Sequence, residues 1–177
     1  MLLSNRFESP RTPDEIFALL LDAPSVVHCV PGAELTGAEA NGVFKGRIAV
    51  KLGPVALKFN GVVAFSEVDS TARTAIIKGK GADLQGRGNA NATTRLRVEP
   101  ADAGSIVLLE TDLQLSGMVA QYGRAQGVIS AVSNEIIAQF ARNLQAALSG
   151  DDAPEGSAKE ISALSLAWRA LRGKAGK

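Results

Sequence analysis

Apolar and polar residues alternate with a period of two through the middle of this chain. Between residues 43 and 52 the apolar positions are mainly even-numbered, and between residues 55 and 65 they are mainly odd-numbered. This alternation predicts two β-strands that each bury one face. Gly53 and Pro54 separate the two runs and predict a tight hairpin. The apolar positions are Phe44, Ile48, Val50, Leu52, Val55, Leu57, Phe59, Val63 and Phe65.

Five more segments have the composition of strands, because aliphatic and β-branched residues are bounded there by turn residues. They are residues 2–8, 33–39, 71–80, 84–100 and 104–117. In the last of these, Val107, Leu109, Leu113 and Leu115 share one face. The sequence therefore predicts seven strands, six of them after a short helical region.

Two short helices are predicted between the first and second strands. Thr12 is the expected N-cap of the first helix, with Pro13 at its first position and Glu15 completing a capping box. The second helix is predicted to begin at Pro24, and residues 31–32, a Pro-Gly pair, end it.

Helical spacing replaces the alternation from about Met118 onward, where apolar residues recur every three or four positions. They predict one long helix of about seven or eight turns. A sheet of seven strands can cover the apolar stripe of this helix only by curling around it. We therefore expect an α+β helix-grip fold: a seven-stranded antiparallel curved sheet around a long C-terminal helix, with two short helices after strand 1. The stripe consists of Ile129, Val132, Ile136, Phe140, Leu144 and Leu148.

Small residues occupy one face of the sixth strand, at positions 86, 88, 90 and 92, whereas the intervening residues are polar. Small side chains facing the long helix allow two arrangements. Either the helix packs very close to the sheet, or an internal cavity lies between them.

Four glycine-containing loops are expected at one end of the sheet, because alternate loops of an up-and-down sheet share an end. They are residues 30–32, 53–54, 78–83 and 116–123. The loops expected at the opposite end are ordinary polar turns. This asymmetry favours an opening at the glycine-rich end.

Length and charge restrict the function. The chain has 177 residues, enough for one domain and a tail, and residues 1–150 contain 14 Lys/Arg and 14 Asp/Glu. Nucleic acid is therefore not an expected partner of the body. No apolar run reaches the roughly 18 residues of a membrane span, and the first ten residues lack signal-peptide features. A cytoplasmic location is expected.

The C-terminal part differs from the body. We expect a helix-grip domain over residues 1–148, an acidic flexible linker over residues 149–157 and a basic amphipathic tail helix over residues 158–177. Interfacial membrane binding is one hypothesis for the tail. Docking on its own domain or on a partner protein, and disorder, are the alternatives. The residues predicted to bind the membrane are Leu164, Trp168, Arg169, Leu171, Arg172 and Lys174.

Four motifs carry a resemblance to a known family: "HCVPGAE" after a short helix, "GPVALKFNG", "KGKGADLQGRGNA", and "SGMVAQYGRAQ" leading into the last helix. In this order they resemble the CoxG family of carbon monoxide dehydrogenase subunits. That family belongs to the helix-grip superfamily that includes plant pollen allergens, lipid-transfer domains and polyketide cyclases. The resemblance covers about residues 1–148. It implies an accessory of a molybdenum-dependent carbon monoxide dehydrogenase or related molybdenum hydroxylase, with a role in assembly, membrane recruitment or electron delivery.

The chain offers few groups for catalysis. His28 and Cys29 are its only histidine and cysteine, and adjacent helical residues point about 100° apart, so the two cannot pair as base and nucleophile. Cys29 is expected to be a buried structural thiol. Asp83, Glu110 and Asp112 are acid–base candidates for a cyclase-like pocket, although Glu110 and Asp112 have outward parity.

The sequence also does not indicate a nucleotide-binding loop or a metal site. The segment "GKGADLQGRG" lacks the glycine spacing of a dinucleotide fingerprint and lies between strands. The number of potential ligands is too small for a metal site. We therefore predict no catalytic residue, no metal and no covalent cofactor.

The function expected from pattern and resemblance together is a non-catalytic protein, peripheral to the inner face of the cytoplasmic membrane, that binds a quinone. An assembly factor without a ligand is the alternative, and a small cyclase or hydrolase is a further one. Tyr122 is expected either to donate a hydrogen bond to a ligand carbonyl or simply to pack. The predicted ligand-binding residues are Val27, Val30, Pro31, Phe44, Leu57, Phe59, Met118, Tyr122 and Ile129.

Overall fold

Seven antiparallel strands form a single sheet in the computed structural model, which describes residues 1–124 and 126–150. Their order across the sheet is β1-β7-β6-β5-β4-β3-β2, so that β1 and β2 are the edges. Each strand from β2 to β7 therefore pairs with the next one along the chain. The strands are β1 Leu2–Ser9, β2 Ala33–Ala38, β3 Val43–Leu52, β4 Val55–Asp69, β5 Thr74–Asp83, β6 Gly88–Ala101 and β7 Gly104–Gly117.

Helices cover the start and the end of the described chain. They are α1 Pro13–Leu20, α2 Ala23–Val26, a 3₁₀ turn Val27–Cys29, α3 Ala120–Gly123 and α4 Gln126–Ser149. The predicted capping box of α1 is present, since the Thr12 side chain accepts from the Glu15 N–H and Glu15 accepts from the Thr12 N–H. α2 begins one residue earlier than predicted, because the Asp22 side chain caps it by accepting from the Ser25 N–H.

The predicted fold class is confirmed: the protein is an α+β helix-grip with a seven-stranded antiparallel sheet and a long C-terminal helix. The predicted long C-terminal helix is the 24-residue α4. A single helical turn, α3, lies in the predicted junction between β7 and this helix.

The turn between β5 and β6 also differs from the prediction, which placed it at residues 78–83. β5 continues to Asp83, and the turn comprises residues 84–87. The reason is the Asp83 side chain, whose carboxylate accepts hydrogen bonds from the backbone N–H groups of Gln85 and Arg87. These bonds stabilise a turn that also contains Gly86, whose positive φ of 70° favours glycine.

Three loops meet at one end of the sheet, which we call the Gly53 end. Arg87, in the β5–β6 turn, donates to the carbonyl of Ala56 at 3.0 Å, next to the β3–β4 hairpin. The carbonyl of Arg87 accepts from the N–H of Val119, in the β7–α3 loop, also at 3.0 Å. Three of the four loops that the sequence assigned to one end thus lie together.

The apolar core consists of two clusters. The larger one lies toward the opposite end, where α1 and the C-terminal half of α4 pack on β1, β6 and β7 around Phe7, Leu96 and Phe140. The smaller one lies at the Gly53 end around Leu57, Phe59 and Val119. Burial is therefore strongest at the two ends of the sheet and weaker between them.

Polar contacts fasten α4 to the first strand. Asn5 of β1 donates to the Asn134 side chain at 2.7 Å and accepts from the Ser133 hydroxyl at 2.8 Å. Asn143 donates to the carbonyl of Cys29 at 3.0 Å, and the rings of Phe7 and Phe140 meet edge to face. These contacts hold the helix against β1, one edge of the sheet, and against the 3₁₀ turn that precedes β2, the other edge.

Candidate functional site

A concave apolar surface lies under α4. The helix approaches β1, β3 and the 3₁₀ turn closely, and it stands farther from the middle strands β4, β5 and β6. The strand register places two rows of inward-facing residues on this middle part of the sheet. One row consists of Phe44, Val63, Gly79, Ala92 and Leu113, and the next consists of Gly46, Gly61, Gly81, Ala90 and Leu115.

Free space is present at Gly79. A Cβ atom added there would meet only the Val63 Cγ2 at 3.9 Å and the Val62 carbonyl oxygen at 4.0 Å. Val63 itself is 39% exposed although it has the inward parity of the buried Leu57 and Phe59. We conclude that the concave surface is accessible between the two core clusters.

Small residues elsewhere on this face serve close packing instead. A Cβ on Gly61 would collide with the Lys80 carbonyl oxygen, so β4 and β5 approach too closely there for any side chain. A Cβ on Gly88 would collide with the Ser116 carbonyl oxygen and lie 2.9 Å from the Val119 side chain. On β6, where the sequence left open close packing of the long helix or a cavity, Gly88 packs against β7 and the β7–α3 loop. On the neighbouring strands, Gly61 is closely packed and Gly79 has space beside it.

The concave surface is almost free of charge. Of its inward-facing strand positions, only Asp83 carries a charged group, and Asp83 lies at the Gly53 end of β5. The polar groups nearer the middle are the hydroxyls of Thr94 and Thr111, which share a hydrogen bond of 2.8 Å across β6 and β7. A surface of this kind suits an apolar molecule with few polar atoms.

Asp83 is neutralised by Arg87. The side chain of Asp83 is fully buried, and the Arg87 guanidinium donates to both of its oxygens at 2.8 Å. These hydrogen bonds, joined by those from the backbone N–H groups of Arg87 and Gln85, hold the pKa of the Asp83 carboxyl well below its usual range. Asp83 therefore stays ionised and paired, which makes it a structural group of the Gly53 end and removes it as an acid–base candidate.

The other candidates for catalysis have no suitable surroundings. Burial raises the pKa of the Cys29 thiol to about 11, so it stays protonated and weakly nucleophilic near neutral pH. Glu110 and Asp112 are exposed on the outer face of β7. Over residues 1–124 and 126–150, no group of three His, Cys, Asp or Glu side chains is arranged to hold a metal ion.

The predicted ligand-binding residues occupy three places. Leu57, Phe59 and Tyr122 meet in the core cluster of the Gly53 end, with Tyr122 half-buried at its border. Phe44 is half-buried on the concave surface, edge to face with Phe65. Val27, Val30 and Pro31 are half-buried at and after the 3₁₀ turn, Ile129 is buried on α4, and Met118 is 64% exposed in the β7–α3 loop.

Sequence reasoning missed Val63, Gly79, Thr94 and Thr111 as residues of the concave surface. The alternation in β4 put Val63 on the inner face, but only the register shows that Gly79 lies beside it and leaves space. Since β5 was predicted to end before Gly81, the parity of its last residues could not be assigned.

The tail predicted to bind a membrane, Leu164, Trp168, Arg169, Leu171, Arg172 and Lys174, lies outside the described residues. So does most of the predicted linker. Among the helices of the described part, none combines the length and the apolar character needed to cross a membrane.

Solved structures show the same fold. A conserved protein from Geobacillus kaustophilus superimposes with a TM-score of 0.70 at 18% identity, over 85% of this chain and 96% of that one. A Mycobacterium smegmatis protein gives 0.58 at 17% identity, with coverage of 84% and 91%. An aromatase/cyclase from a Streptomyces species gives 0.55 at 12% identity, with coverage of 80% and 89%. At these identities the likeness concerns the fold.

Comparison by sequence identifies the family. A search of curated protein sequences gives no match. The family model described as CoxG, a subunit of carbon monoxide dehydrogenase, matches residues 6–149, which include every strand from β2 to β7, half of β1 and the described helices. With the helix-grip fold and most of the chain covered by this match, the chain belongs to the CoxG family of carbon monoxide dehydrogenase subunits.

Proposed function

We propose that this protein is a non-catalytic accessory of a molybdenum-dependent carbon monoxide dehydrogenase or a related molybdenum hydroxylase, and that it carries a quinone on the concave surface under α4. Family membership supports the link to the dehydrogenase, because the family is described as a subunit of that enzyme. A quinone carrier would connect an enzyme without a membrane span to the lipid-soluble electron carriers of the bilayer.

The uncharged concave surface is the observation that carries the ligand proposal. A quinone has an apolar ring and tail and two carbonyl oxygens that accept hydrogen bonds. The row through Phe44, Val63 and Gly79 supplies apolar contact and space. No ionised side chain lies in this row, so an apolar ligand would not leave a charge without water.

The hydroxyl pair of Thr94 and Thr111 offers the polar contact. Two hydroxyls carry two protons, and the bond between them uses one. Among the described residues no hydrogen bond is formed by the second proton. It can therefore be donated to a quinone carbonyl from the middle of the concave surface.

The test is native mass spectrometry of the full chain, purified without detergent from a quinone-containing host, followed by release and identification of any bound molecule. We expect a quinone adduct on the wild type. Gly79→Leu should lose it, because the new side chain occupies the free space beside Val63.

Gly37→Leu is the matched control. Gly37 lies on the edge strand β2, and a Cβ there meets only the Lys45 Cβ, at 3.9 Å, so the same substitution is accommodated outside the concave surface. Thermal melting of both variants verifies folding. A wild type that carries no quinone, even when quinone is supplied, would contradict carriage and favour the assembly factor.

For residues 158–177 we propose binding to the inner face of the cytoplasmic membrane. Trp168 is the only tryptophan, so its fluorescence reports on the tail alone. Vesicles containing phosphatidylglycerol should shift its emission to shorter wavelength. Leu171→Asp should abolish the shift, whereas Ser162→Asp, which adds the same charge off the apolar face, should preserve it. An unshifted wild-type spectrum would contradict membrane binding by the tail.

A further inference from the structure

All five lysines of residues 1–150 lie on one surface of the sheet. They occur at odd positions of β3 and at even positions of β4 and β5, which are the positions of the outer, convex face. Arg47 of β3 belongs to the same surface. We call this surface the basic face, and it comprises Lys45, Arg47, Lys51, Lys58, Lys78 and Lys80.

Acidic residues are absent from the same strands over most of their length. Residues 43–66 and 74–82 contain no Asp or Glu. Lys45 pairs with Glu39 and Arg47 with Glu34, both from the edge of the sheet. Lys51, Lys58, Lys78 and Lys80 are exposed, and none of them forms an ion pair with another residue of the described part of the chain. The basic face therefore carries uncompensated positive charge although residues 1–150 as a whole are balanced.

Charge is distributed unequally along the strands as well. Lys51 and Lys58 lie near the β3–β4 hairpin, at the Gly53 end. Acidic residues collect at the opposite end, where Glu67, Asp69, Glu99 and Asp102 lie in or beside the β4–β5 and β6–β7 turns. α4 runs from the Gly53 end toward the opposite end. The positive end of its macrodipole therefore also lies at the Gly53 end. A negatively charged surface would orient the molecule with its Gly53 end toward it.

Apolar side chains project at the same end. Leu84 is 53% exposed in the β5–β6 turn, and its N–H donates to the carbonyl of Lys58 at 2.8 Å. Met118 is exposed in the neighbouring β7–α3 loop. Lysines around a small apolar tip are typical of proteins that rest on an anionic bilayer, where each base near the surface contributes about 1 kcal/mol.

The residue type favours lipid over an acidic protein. Protein interfaces are enriched in arginine and depleted of lysine, because the rigid guanidinium fork recognises carboxylates in a fixed geometry. Here the unpaired bases are all lysines, whose flexible point charges suit a diffuse layer of phosphates. No aromatic side chain has the outward parity of the basic face, so nothing on it could stack on nucleic-acid bases.

We propose that the part of the basic face nearest the Gly53 end, which carries Lys51, Lys58 and Lys80, is a second membrane-binding surface that contacts anionic phospholipid with the Gly53 end of the folded body toward the bilayer. This proposal rests on the proposed membrane-peripheral function and adds to it a lipid contact that does not involve the tail.

The test measures partition of the full chain onto vesicles of phosphatidylcholine with and without phosphatidylglycerol. The face variant is Lys51→Gln, Lys58→Gln and Lys80→Gln together. The control variant is Arg6→Gln, Arg95→Gln and Arg97→Gln, which removes three charges from the convex face of β1 and β6, away from the Gly53 end. We expect about a tenfold loss of partition onto anionic vesicles for the face variant, since three bases are removed and salt screens part of their attraction. The control should stay within about twofold of the wild type. Arg95 and Arg97 lie opposite Ile76 and Thr74, which are more than a Debye length along β5 from Lys80, and Arg6 lies on the edge strand β1.

The fluorescence of Trp168 distinguishes membrane binding by the basic face from membrane binding by the tail. The face variant should still show the short-wavelength shift at saturating lipid, because its tail is intact. Equal partition of the face variant and the wild type would contradict lipid binding by the basic face and would leave the proposal for the tail unaffected. Weakened binding of the face variant to the dehydrogenase with unchanged vesicle binding would also overturn it, because the face would then recognise an acidic protein.

Discussion

Two glycines of the sheet face in the same direction and have opposite surroundings. Gly61 lies against the backbone of β5, whereas Gly79 lies beside open space. Their sequence context does not reveal this difference, since both follow a polar residue within an alternating strand.

Substitution by alanine should change the free energy of unfolding in opposite directions at Gly61 and Gly79. Gly61→Ala is expected to lower the free energy of unfolding by about 2 kcal/mol, because the strand must move to accept the Cβ. Gly79→Ala is expected to raise it by about 0.5 kcal/mol, because the Cβ fits and the unfolded chain loses freedom. Urea denaturation measures both. Equal destabilisation by the two variants would contradict the free space at Gly79.

The buried Asp83 couples stability to pH. Its pKa is lowered in the folded protein, so its contribution to stability is present above the unfolded-state pKa of about 3.9 and is lost as pH falls toward the folded-state value.

Asp83→Asn should lower the melting temperature by several degrees at pH 7, since it removes the negative partner of Arg87. The difference in melting temperature between the variant and the wild type should narrow below about pH 4. There Asp83 of the wild type binds a proton in the unfolded chain, which removes the stabilisation that its charge provides. Melting curves from pH 7 to pH 3 test this. Glu110→Gln, at an exposed position, is the control and should change little. A difference that stays constant with pH would show that the Asp83 charge is not the stabilising feature.

At the scale of elements, the position of α4 determines whether the protein has a concave surface. The helix is held over β1 by Asn5, Ser133 and Asn134 and over the 3₁₀ turn by Asn143, so its polar contacts lie at its sides. These contacts leave the central part of β4, β5 and β6, between the two core clusters, accessible.

Asn5→Ala should reduce the free energy of unfolding by about 1–2 kcal/mol, because two side-chain hydrogen bonds are lost. Asn134→Ala removes one of them and should cost about half as much. A double-mutant cycle with Ser133→Ala measures the coupling between β1 and α4. Purely additive effects would mean that the Asn5–Ser133 contact does not fasten the helix.

At the scale of the whole molecule, the proposed ligand and the fold are linked. A quinone held between α4 and β4–β6 binds only when both are in place, so it should stabilise the folded state by about 2.7 kcal/mol at a concentration 100 times its dissociation constant. The melting temperature of the wild type should rise on addition of a quinone analogue. Gly79→Leu should melt at the same temperature with and without it, and an equal rise in both proteins would place the ligand elsewhere.

The seven strands, the capped first helix and the fold class follow from patterns within the sequence. Strand alternation, the capping box of Thr12 and Glu15, and the apolar stripe of α4 depend on short-range rules, because side-chain direction follows backbone period. Boundaries were less certain where a side chain overrode local propensity, as when Asp83 moved the β5–β6 turn. The family resemblance was likewise contained in local motifs.

The way in which the strand faces and the charges combine depends on the folded arrangement of the chain. Strand register brought Gly79 next to Val63 and placed five lysines from three strands on one surface, and the packing of α4 decided that the middle of the sheet remains accessible. These features depend on contacts between residues far apart in the chain. No periodicity within a single strand encodes them, because adjacency across strands is set by register and by the way the sheet curves around the helix.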